Sequence, residues 1–155
     1  MEIKQPARGT AYVCGFAFTH DQRVVLIRKA RPEWQRGLLN GVGGRIEEAR
    51  GEVSTDAMVR EFFEETGVAV YHDDWVKFHV ERWPNGNSVH FFTCQLRPDQ
   101  HPRTMTDESI ETVLWDWRSR LNEGWDGFMY NLCYLVPMAF CHLIGDPANI
   151  PAHAA

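Results

Sequence analysis

The sequence lacks a long apolar run and a secretory leader. Its longest apolar segment, residues 132–141, contains ten residues and includes Pro137, whereas a membrane-spanning helix needs about 20 apolar residues. Residues 1–6 lack the apolar region of an export signal. We therefore expect a cytoplasmic protein that does not associate with membranes.

Paired cysteine motifs and an excess of positive charge are also missing. Cys14, Cys94, Cys133 and Cys141 show no CxxC spacing, so we expect free and mostly buried thiols rather than a disulfide framework. The 16 Lys and Arg residues are outnumbered by 21 Asp and Glu residues, which gives a net charge of −5. This balance argues against a protein that binds nucleic acid through its phosphates.

The composition that is present is that of one globular domain. The 155 residues are 44% hydrophobic and 24% charged, which excludes a disordered or collagen-like chain and supplies material for one core. We expect a single domain over residues 1–155, with residues 145–155 as a loose tail.

Short apolar segments with turn residues between them predict a sheet. The predicted strands cover residues 10–18, 24–30, 75–83, 88–96 and 113–117, with an Asn-Gly hairpin turn at 84–87 and a polar loop from 97 to about 112. Three glycines between residues 41 and 44 argue against regular strand pairing there and permit a close approach of the backbone to another group.

Two segments predict helices. Residues 53–66 have helical spacing, with Ser54 or Thr55 as the N-cap and Gly67 just past the last turn. Residues 131–144 are apolar almost all round and predict a closing helix that is buried on most faces. Strands with an inserted helix predict an α+β sandwich.

Three glutamates share one face of the first predicted helix. Glu61, Glu64 and Glu65 lie at positions i, i+3 and i+4, so their carboxylates repel one another and lie within reach of a common point. A hard divalent cation bound through carboxylate oxygens would turn this repulsion into a site. The alternative is a solvated acidic face in which Arg60 pairs with Glu64.

The residues around these glutamates extend the pattern. Residues 44–68 follow G-x7-E-x7-R-E-F-x-E-E-x-G-V, which resembles the Nudix box, G-x5-E-x7-R-E-U-x-E-E-x-G-U, where U is an apolar residue. Phe62 replaces the usual aliphatic residue, and two extra residues separate Gly44 from Glu52. The extension predicts a bulge in residues 45–51 and leaves the helical half of the box unchanged.

The resemblance implies an α/β/α sandwich with a mixed β-sheet. It also implies a hydrolase that uses Mg²⁺, or Mn²⁺, to cleave a nucleoside diphosphate linked to another group X. By position, the implied metal ligands are Glu52, Glu61, Glu64, Glu65 and the backbone of Gly44.

The resemblance also implies catalytic roles. Arg60 would orient the carboxylates through charge-assisted hydrogen bonds. The general base is left open between Glu65 or Glu64 on the helix and the loop residues Glu108 or Glu111.

The segment from Asn40 to Gly44 resembles the N-G-x-G-G sequence of oxidised-purine nucleoside triphosphatases of this family, in which the Asn reads the base. This implies that Asn40 and Gly43 contact substrate; the alternative for Asn40 is that it only shapes the turn. Arg28 and its basic neighbours Lys29, Arg31 and Arg36 either hold phosphates or are solvated surface charges. The tryptophans 34, 83, 115, 117 and 125 either stack on a base or fill the core and its rim.

Three functions are compatible with these residues. The first is a MutT-like hydrolase of nucleoside triphosphates, oxidised ones included. The second is an ADP-ribose or nucleotide-sugar pyrophosphatase, and the third is a regulator that binds nucleotides without cleaving them. In each case the expected partner is a small nucleotide rather than a nucleic acid, and the protein is a monomer or a homodimer.

Overall fold

The structure, a computed structural model, describes residues 8–114, 124 and 126–144. Within these residues, seven strands form one mixed sheet that lies between two α-helices, which is the predicted α/β/α sandwich. The strands are β1 (Ala11–Phe18), β2 (Arg23–Arg28), β3 (Leu39–Asn40), β4 (Val42–Arg45), β5 (Val76–Arg82), β6 (Ser88–Gln95) and β7 (Ser109–Leu114), and the helices are α1 (Ser54–Thr66) and α2 (Leu132–Ile144).

The first strand is the centre of the sheet. β1 runs parallel to β6 along its whole length, and antiparallel to β2 and β4. β5 pairs with the outer side of β6, while β2 also pairs with β3 and β7. Because β1 is covered by a helical layer on each face, nearly all of its residues are buried and apolar.

The side chains of β1 alternate between two hydrophobic cores. Val13 and Ala17 belong to the core on the α1 side, where they join Phe62 of that helix. Phe16 and Phe18 belong to the core on the α2 side. The period of two along a strand therefore divides the apolar residues of β1 between the two helices.

Helix α1 begins without the predicted cap. Its N-cap position is occupied by Val53, which has the extended backbone required there but no capping side chain, so the prediction of Ser54 or Thr55 as the cap is wrong. Both residues already lie inside the first turn. The helix ends as predicted, because Gly67 adopts a left-handed conformation with φ of 72° and its N–H donates to the carbonyl of Phe63.

The glycine-rich segment forms a regular strand pair with β1, contrary to the prediction. Gly43 and Gly44 lie in β4, opposite Cys14 and Val13 of β1. The prediction against pairing is wrong because a glycine is what the pairing needs: a Cβ at Gly43 would collide with the carbonyl oxygen of Val13.

Strand β7 starts earlier than the sequence indicates. It begins at Ser109, inside the predicted polar loop, and pairs with all six residues of β2. A polar residue such as Glu111 is accommodated in β7 because its carboxylate pairs with Arg28 of the neighbouring strand β2. The remainder of the predicted strand, with Trp115 and Trp117, lies outside the described residues, as do Trp125 and the tail 145–155.

Helix α2 buries one face rather than most of its surface. Leu132, Leu135, Val136, Ala139 and Phe140 are buried against the sheet. The other face is exposed, so the prediction of burial on most faces is wrong. Neither helix in the described part of the chain is both long enough and apolar enough to cross a membrane.

All four cysteines are free, as predicted, but only Cys14 and Cys94 are buried. Burial raises the pKa of the Cys14 thiol to about 12, so it stays protonated at pH 8.

We expect a thiol reagent at pH 8 to label Cys133 and Cys141 in the native protein, and all four cysteines after unfolding. Mass spectrometry counts the labels, and rapid native labelling of a Cys133→Ser/Cys141→Ser variant would contradict the burial.

Candidate active site

The guanidinium of Arg60, in the middle of α1, connects four groups from the helix, the segment before it and strand β4. It donates a bidentate pair of hydrogen bonds to Glu52 (2.7 and 3.0 Å). Its third nitrogen donates to Glu61 at 2.8 Å and to Glu64 at 3.3 Å. The carbonyl of Arg45, at the end of β4, accepts a further bond at 3.0 Å. Arg60 thus joins the helix to the sheet and holds three of the predicted site carboxylates together.

The carboxylates around Arg60 have different electrostatic surroundings. The hydrogen bonds from Arg60 hold the pKa of Glu52 below its ordinary value. Burial raises the pKa of Glu61, although Arg60 opposes this effect. Burial therefore disfavours the ionised form of Glu61, and additional positive charge beside it would favour that form.

Glu61 also packs directly against the backbone of β4. A Cβ on Gly44 would overlap the carboxylate of Glu61, so a larger residue at this position would displace that carboxylate. The strand pairing is kept at this contact, because Gly44 pairs with Val13 of β1. The strand and the acidic face of α1 therefore meet at a contact between main chain and carboxylate.

Glu65 has a different partner from the other two glutamates. Its carboxylate accepts a hydrogen bond of 2.7 Å from the hydroxyl of Thr106, and no basic side chain in the described part of the chain pairs with it. Thr106 belongs to the connection between β6 and β7, which also bonds to the end of α1 where the N–H of Arg103 donates to the carbonyl of Thr66.

The two-residue extension lies to one side of these contacts. It forms a short, exposed 3-10 helix, Glu48–Arg50. Gly51 ends this helix and itself has a left-handed backbone conformation. Glu52 follows, two residues before α1, and its carboxylate also accepts a bond from the N–H of Glu47. The extension is accommodated as a solvent-exposed turn, and Glu52 still reaches Arg60.

The glutamates supply carboxylate oxygens that can bind a divalent cation. These oxygens are not arranged around one common point. Carboxylate oxygens are the ligands that Mg²⁺ and Mn²⁺ prefer, which fits the predicted metal. Within residues 8–114, 124 and 126–144, however, no three acidic, histidine or cysteine side chains are arranged as a ready metal site. Arg60 holds Glu61 and Glu64, and its bond to Glu64 is the longest of its contacts. A cation would have to compete for that carboxylate.

A cavity of about 600 Å³ opens beside Gly43 and Gly44. Two cationic side chains, three amides and two partly exposed tryptophans contribute to its walls, and residues of β1 and β6 also line it. These residues are Lys29 and Arg31, then Gln35, Asn40 and Asn87, then Trp34 and Trp83, and finally Tyr12, Cys14 and Val89. Such a wall can bind a nucleotide, because cations attract its phosphates, amides bond to the edge of its base and aromatic rings stack on the face of its base.

Asn40 both shapes the turn and lines the cavity. Its side-chain oxygen accepts a bond from the N–H of Gly41 at 2.8 Å, and its amide nitrogen donates to Gln35 at 3.2 Å. An amide has two N–H groups and two acceptor lone pairs. Because the oxygen also accepts a weak bond from the thiol of Cys14 at 3.9 Å, one N–H is left for a ligand.

Arg28 is directed away from the cavity. It forms a bidentate ion pair with Glu111 (2.7 and 2.9 Å) and donates to the carbonyl of Gly37. Arg28 is not among the residues that line the cavity, whereas its neighbours Lys29 and Arg31 are. The same ion pair lowers the pKa of Glu111, which makes this residue a weak base.

Glu108 lies beside the two cations of the cavity wall. Its side chain is 6% exposed and forms an ion pair of 2.8 Å with Lys29, and its other oxygen lies 3.8 Å from Arg31. The structure therefore brings this predicted catalytic residue close to the cavity, with its carboxylate engaged by Lys29.

Sequence reasoning missed Gln35, Asn87, Tyr12 and Thr106. Tyr12 was detectable in principle, because it lies two residues before Cys14 and so shares its face of β1. Gln35 lies in a short 3-10 helix, Glu33–Gln35, and Asn87 and Thr106 lie in loops. None of these segments has a repeating pattern, so no spacing in the sequence indicates their contacts.

The contact between Gly44 and Glu61 can be measured by a double-mutant cycle. Replacement of Gly44 by Ala is expected to destabilise the protein by about 1–3 kcal/mol, because the new Cβ displaces the Glu61 carboxylate from its hydrogen bond with Arg60. In a Glu61→Ala background the same change should cost less than about 1 kcal/mol. Urea unfolding gives both values; an equal cost in the two backgrounds would show that the carboxylate is not what excludes a side chain.

Comparisons with known proteins agree with this architecture. The NUDIX domain family matches residues 9–123 of the chain. No curated protein matches it.

Solved structures with the same fold include a MutT/nudix family protein from Enterococcus faecalis (TM-score 0.62, 17% identity, 72% of this chain), of which this chain spans only 46%. They also include MutT from Aliivibrio salmonicida and Vibrio cholerae (TM-score 0.62, 21% identity, 84% of this chain and 96% of that one). A third is the NUDIX domain of Shewanella oneidensis NrtR complexed with ADP ribose (TM-score 0.67, 17% identity, 92% and 93%).

The match to the family covers most of the chain, and the fold and the acidic helix accord with it. The chain therefore belongs to the Nudix hydrolase family, whose members hydrolyse the pyrophosphate linkage of nucleoside diphosphates joined to another group.

Proposed function

We propose that this chain acts as one domain over residues 1–155 and hydrolyses nucleoside triphosphates, oxidised ones included, with Mg²⁺ or Mn²⁺. One observation carries the proposal: the backbone at Gly43 and Gly44 lines the cavity, and Gly44 also packs on Glu61 of the acidic helix. A nucleotide in the cavity would therefore have its phosphates beside the carboxylates of α1.

The proposed metal ligands are Glu61, Glu64, Glu65 and the backbone of Gly44. A divalent ion held there would offset phosphate charge and lower the pKa of bound water. The contacts of Glu52 support a different role for it, since both of its oxygens are used by Arg60 and one also accepts from a backbone N–H. Glu52 thus acts on the site by fixing Arg60.

Other groups of the chain position substrate and move the proton. Lys29 and Arg31 attract phosphate oxygens at the cavity wall. Glu65 is the favoured general base, because its partner is the neutral hydroxyl of Thr106. Glu108 is the second candidate, and it would first have to leave its ion pair with Lys29.

The base of the nucleotide is proposed to lie against Asn40 and the two tryptophans. Trp34 is 58% exposed and Trp83 37%, so each has ring surface free for stacking, and both line the cavity. Asn40 retains one N–H for the edge of a base, and a base could also displace the weak bond from the Cys14 thiol to its oxygen. In a small domain, a tryptophan left this exposed at a cavity favours a ligand over a purely structural role.

An ADP-ribose pyrophosphatase is the second candidate. The observation in its favour is the similar fold of the NrtR domain, which was crystallised with ADP ribose. A regulator that binds nucleotides without cleaving them is disfavoured, since such a protein has no need of Glu52, Arg60, Glu61, Glu64 and Glu65 together.

The activity can be tested by measuring phosphate and pyrophosphate release from a nucleotide panel with Mg²⁺. We expect turnover of nucleoside triphosphates, and at least about a 100-fold loss of kcat in Glu61→Gln and Glu65→Gln. Glu48→Gln is the matched control, because Glu48 is an exposed glutamate of the extension. Full turnover in both box variants would refute the metal assignment, whereas cleavage of ADP-ribose alone would select the second candidate.

Base reading by Asn40 can be separated from phosphate binding by comparing two variants. Asn40→Ala should change the ratio of kcat/KM between nucleotides with different bases by about tenfold, the worth of one hydrogen bond of about 1.4 kcal/mol. Lys29→Ala should instead raise KM for every nucleotide alike. If Asn40→Ala lowers kcat/KM equally for all bases, Asn40 only shapes the turn.

A further inference from the structure

The segment of residues 103–109, here called the bridge segment, connects the acidic helix with the cavity wall. Next to the helix, the N–H of Arg103 donates to Thr66, the last residue of α1, at 3.0 Å. Next to the cavity, Asp107 pairs with Arg31 and Glu108 with Lys29. Between these two anchors lies Thr106.

The hydroxyl of Thr106 has one proton and two neighbouring acceptors. The carboxylate of Glu65 lies at 2.7 Å and the carbonyl of Glu108 at 3.5 Å. The shorter distance and the negative charge both place the proton on the bond to Glu65. The hydroxyl oxygen also accepts from the N–H of Glu108 at 3.2 Å, which fixes its orientation.

The bridge segment is held firmly enough to transmit this orientation. In addition to its two anchors, the hydroxyl of Thr104 accepts a bond of 3.0 Å from the N–H of Ile110, at the start of β7. A hydrogen-bond donor on such a fastened segment loses little freedom when it binds a carboxylate.

Glu65 needs such a donor more than the other glutamates of the helix. Arg60 orients Glu61 and Glu64, whereas Glu65 has no cationic partner in the described residues. A neutral hydroxyl fixes one carboxylate oxygen without cancelling its charge, so the second oxygen stays available to a cation or a proton.

We propose that Thr106 is a positioning residue that fixes the carboxylate of Glu65 for the reaction. The proposal rests on the role of Glu65 given under the proposed function. Thr106 does not touch the substrate; it acts only through Glu65.

The test compares Thr106→Val, which keeps the shape of the side chain, with Thr106→Ser, which keeps the hydroxyl. Thr106 is exposed, so neither change should unfold the protein. We expect the affinity for Mn²⁺ alone, followed by the electron paramagnetic resonance of free Mn²⁺, to fall about tenfold in Thr106→Val. Thr106→Ser should restore it to within about twofold of wild type.

Kinetics provide the second readout. In Thr106→Val we expect kcat at saturating metal to fall while the KM for the nucleotide is unchanged, because no residue that lines the cavity is replaced. Thr104→Val is the matched control, since it loosens the same segment without losing the bond to Glu65.

The outcomes separate this proposal from the function on which it rests. Unchanged Mn²⁺ affinity in Thr106→Val, or an equal loss in Thr104→Val, overturns the role of Thr106 alone. If wild type binds no Mn²⁺, or if Glu65→Gln binds it as well as wild type, the role of Glu65 fails, and the role of Thr106 fails with it.

Discussion

The site depends on one guanidinium that keeps like charges close together. Arg60 holds Glu52 in a bidentate pair and reaches Glu61 and Glu64 with its remaining nitrogen. Without it, the carboxylates on one face of α1 would turn away from one another into solvent. Its bond to the carbonyl of Arg45 adds a second effect: the same side chain that gathers the charges also ties them to the end of β4.

Strand β4 connects this charged group with the ligand cavity. Its glycines allow the backbone to approach β1 on one side and the Glu61 carboxylate on the other. A larger residue at Gly43 would push β4 away from β1, and one at Gly44 would displace the Glu61 carboxylate. Only the main chain of β4, without a side chain at Gly44, therefore separates the carboxylate of Glu61 from the cavity.

The sequence was informative where a pattern repeats and uninformative where contacts are between loops. The α1 helix, its end at Gly67 and the hairpin between β5 and β6 follow from spacing and turn residues. The failure at Ser54 arose because a residue suited to capping can equally lie inside the first turn. Gly43 was misjudged because the rule that glycine weakens strands ignores strands that need a close approach. The bond between Thr106 and Glu65 joins residues 41 apart, and nothing in the local sequence indicates it.

The pairing of β1 with β6 has a consequence for how the chain reaches its structure. The two strands are parallel and 77 residues apart, with Ala11 opposite Ser88. The central pair of the sheet therefore forms only when the chain between the two strands closes into a large loop. Pairings of such long range close slowly, because the entropy of a large loop is lost before the contacts are gained. A nascent chain that stops short of β6 would hold the complete Nudix box but leave one edge of β1 unpaired. The Nudix box is contiguous in sequence, yet the sheet on which it packs is completed by the second half of the protein.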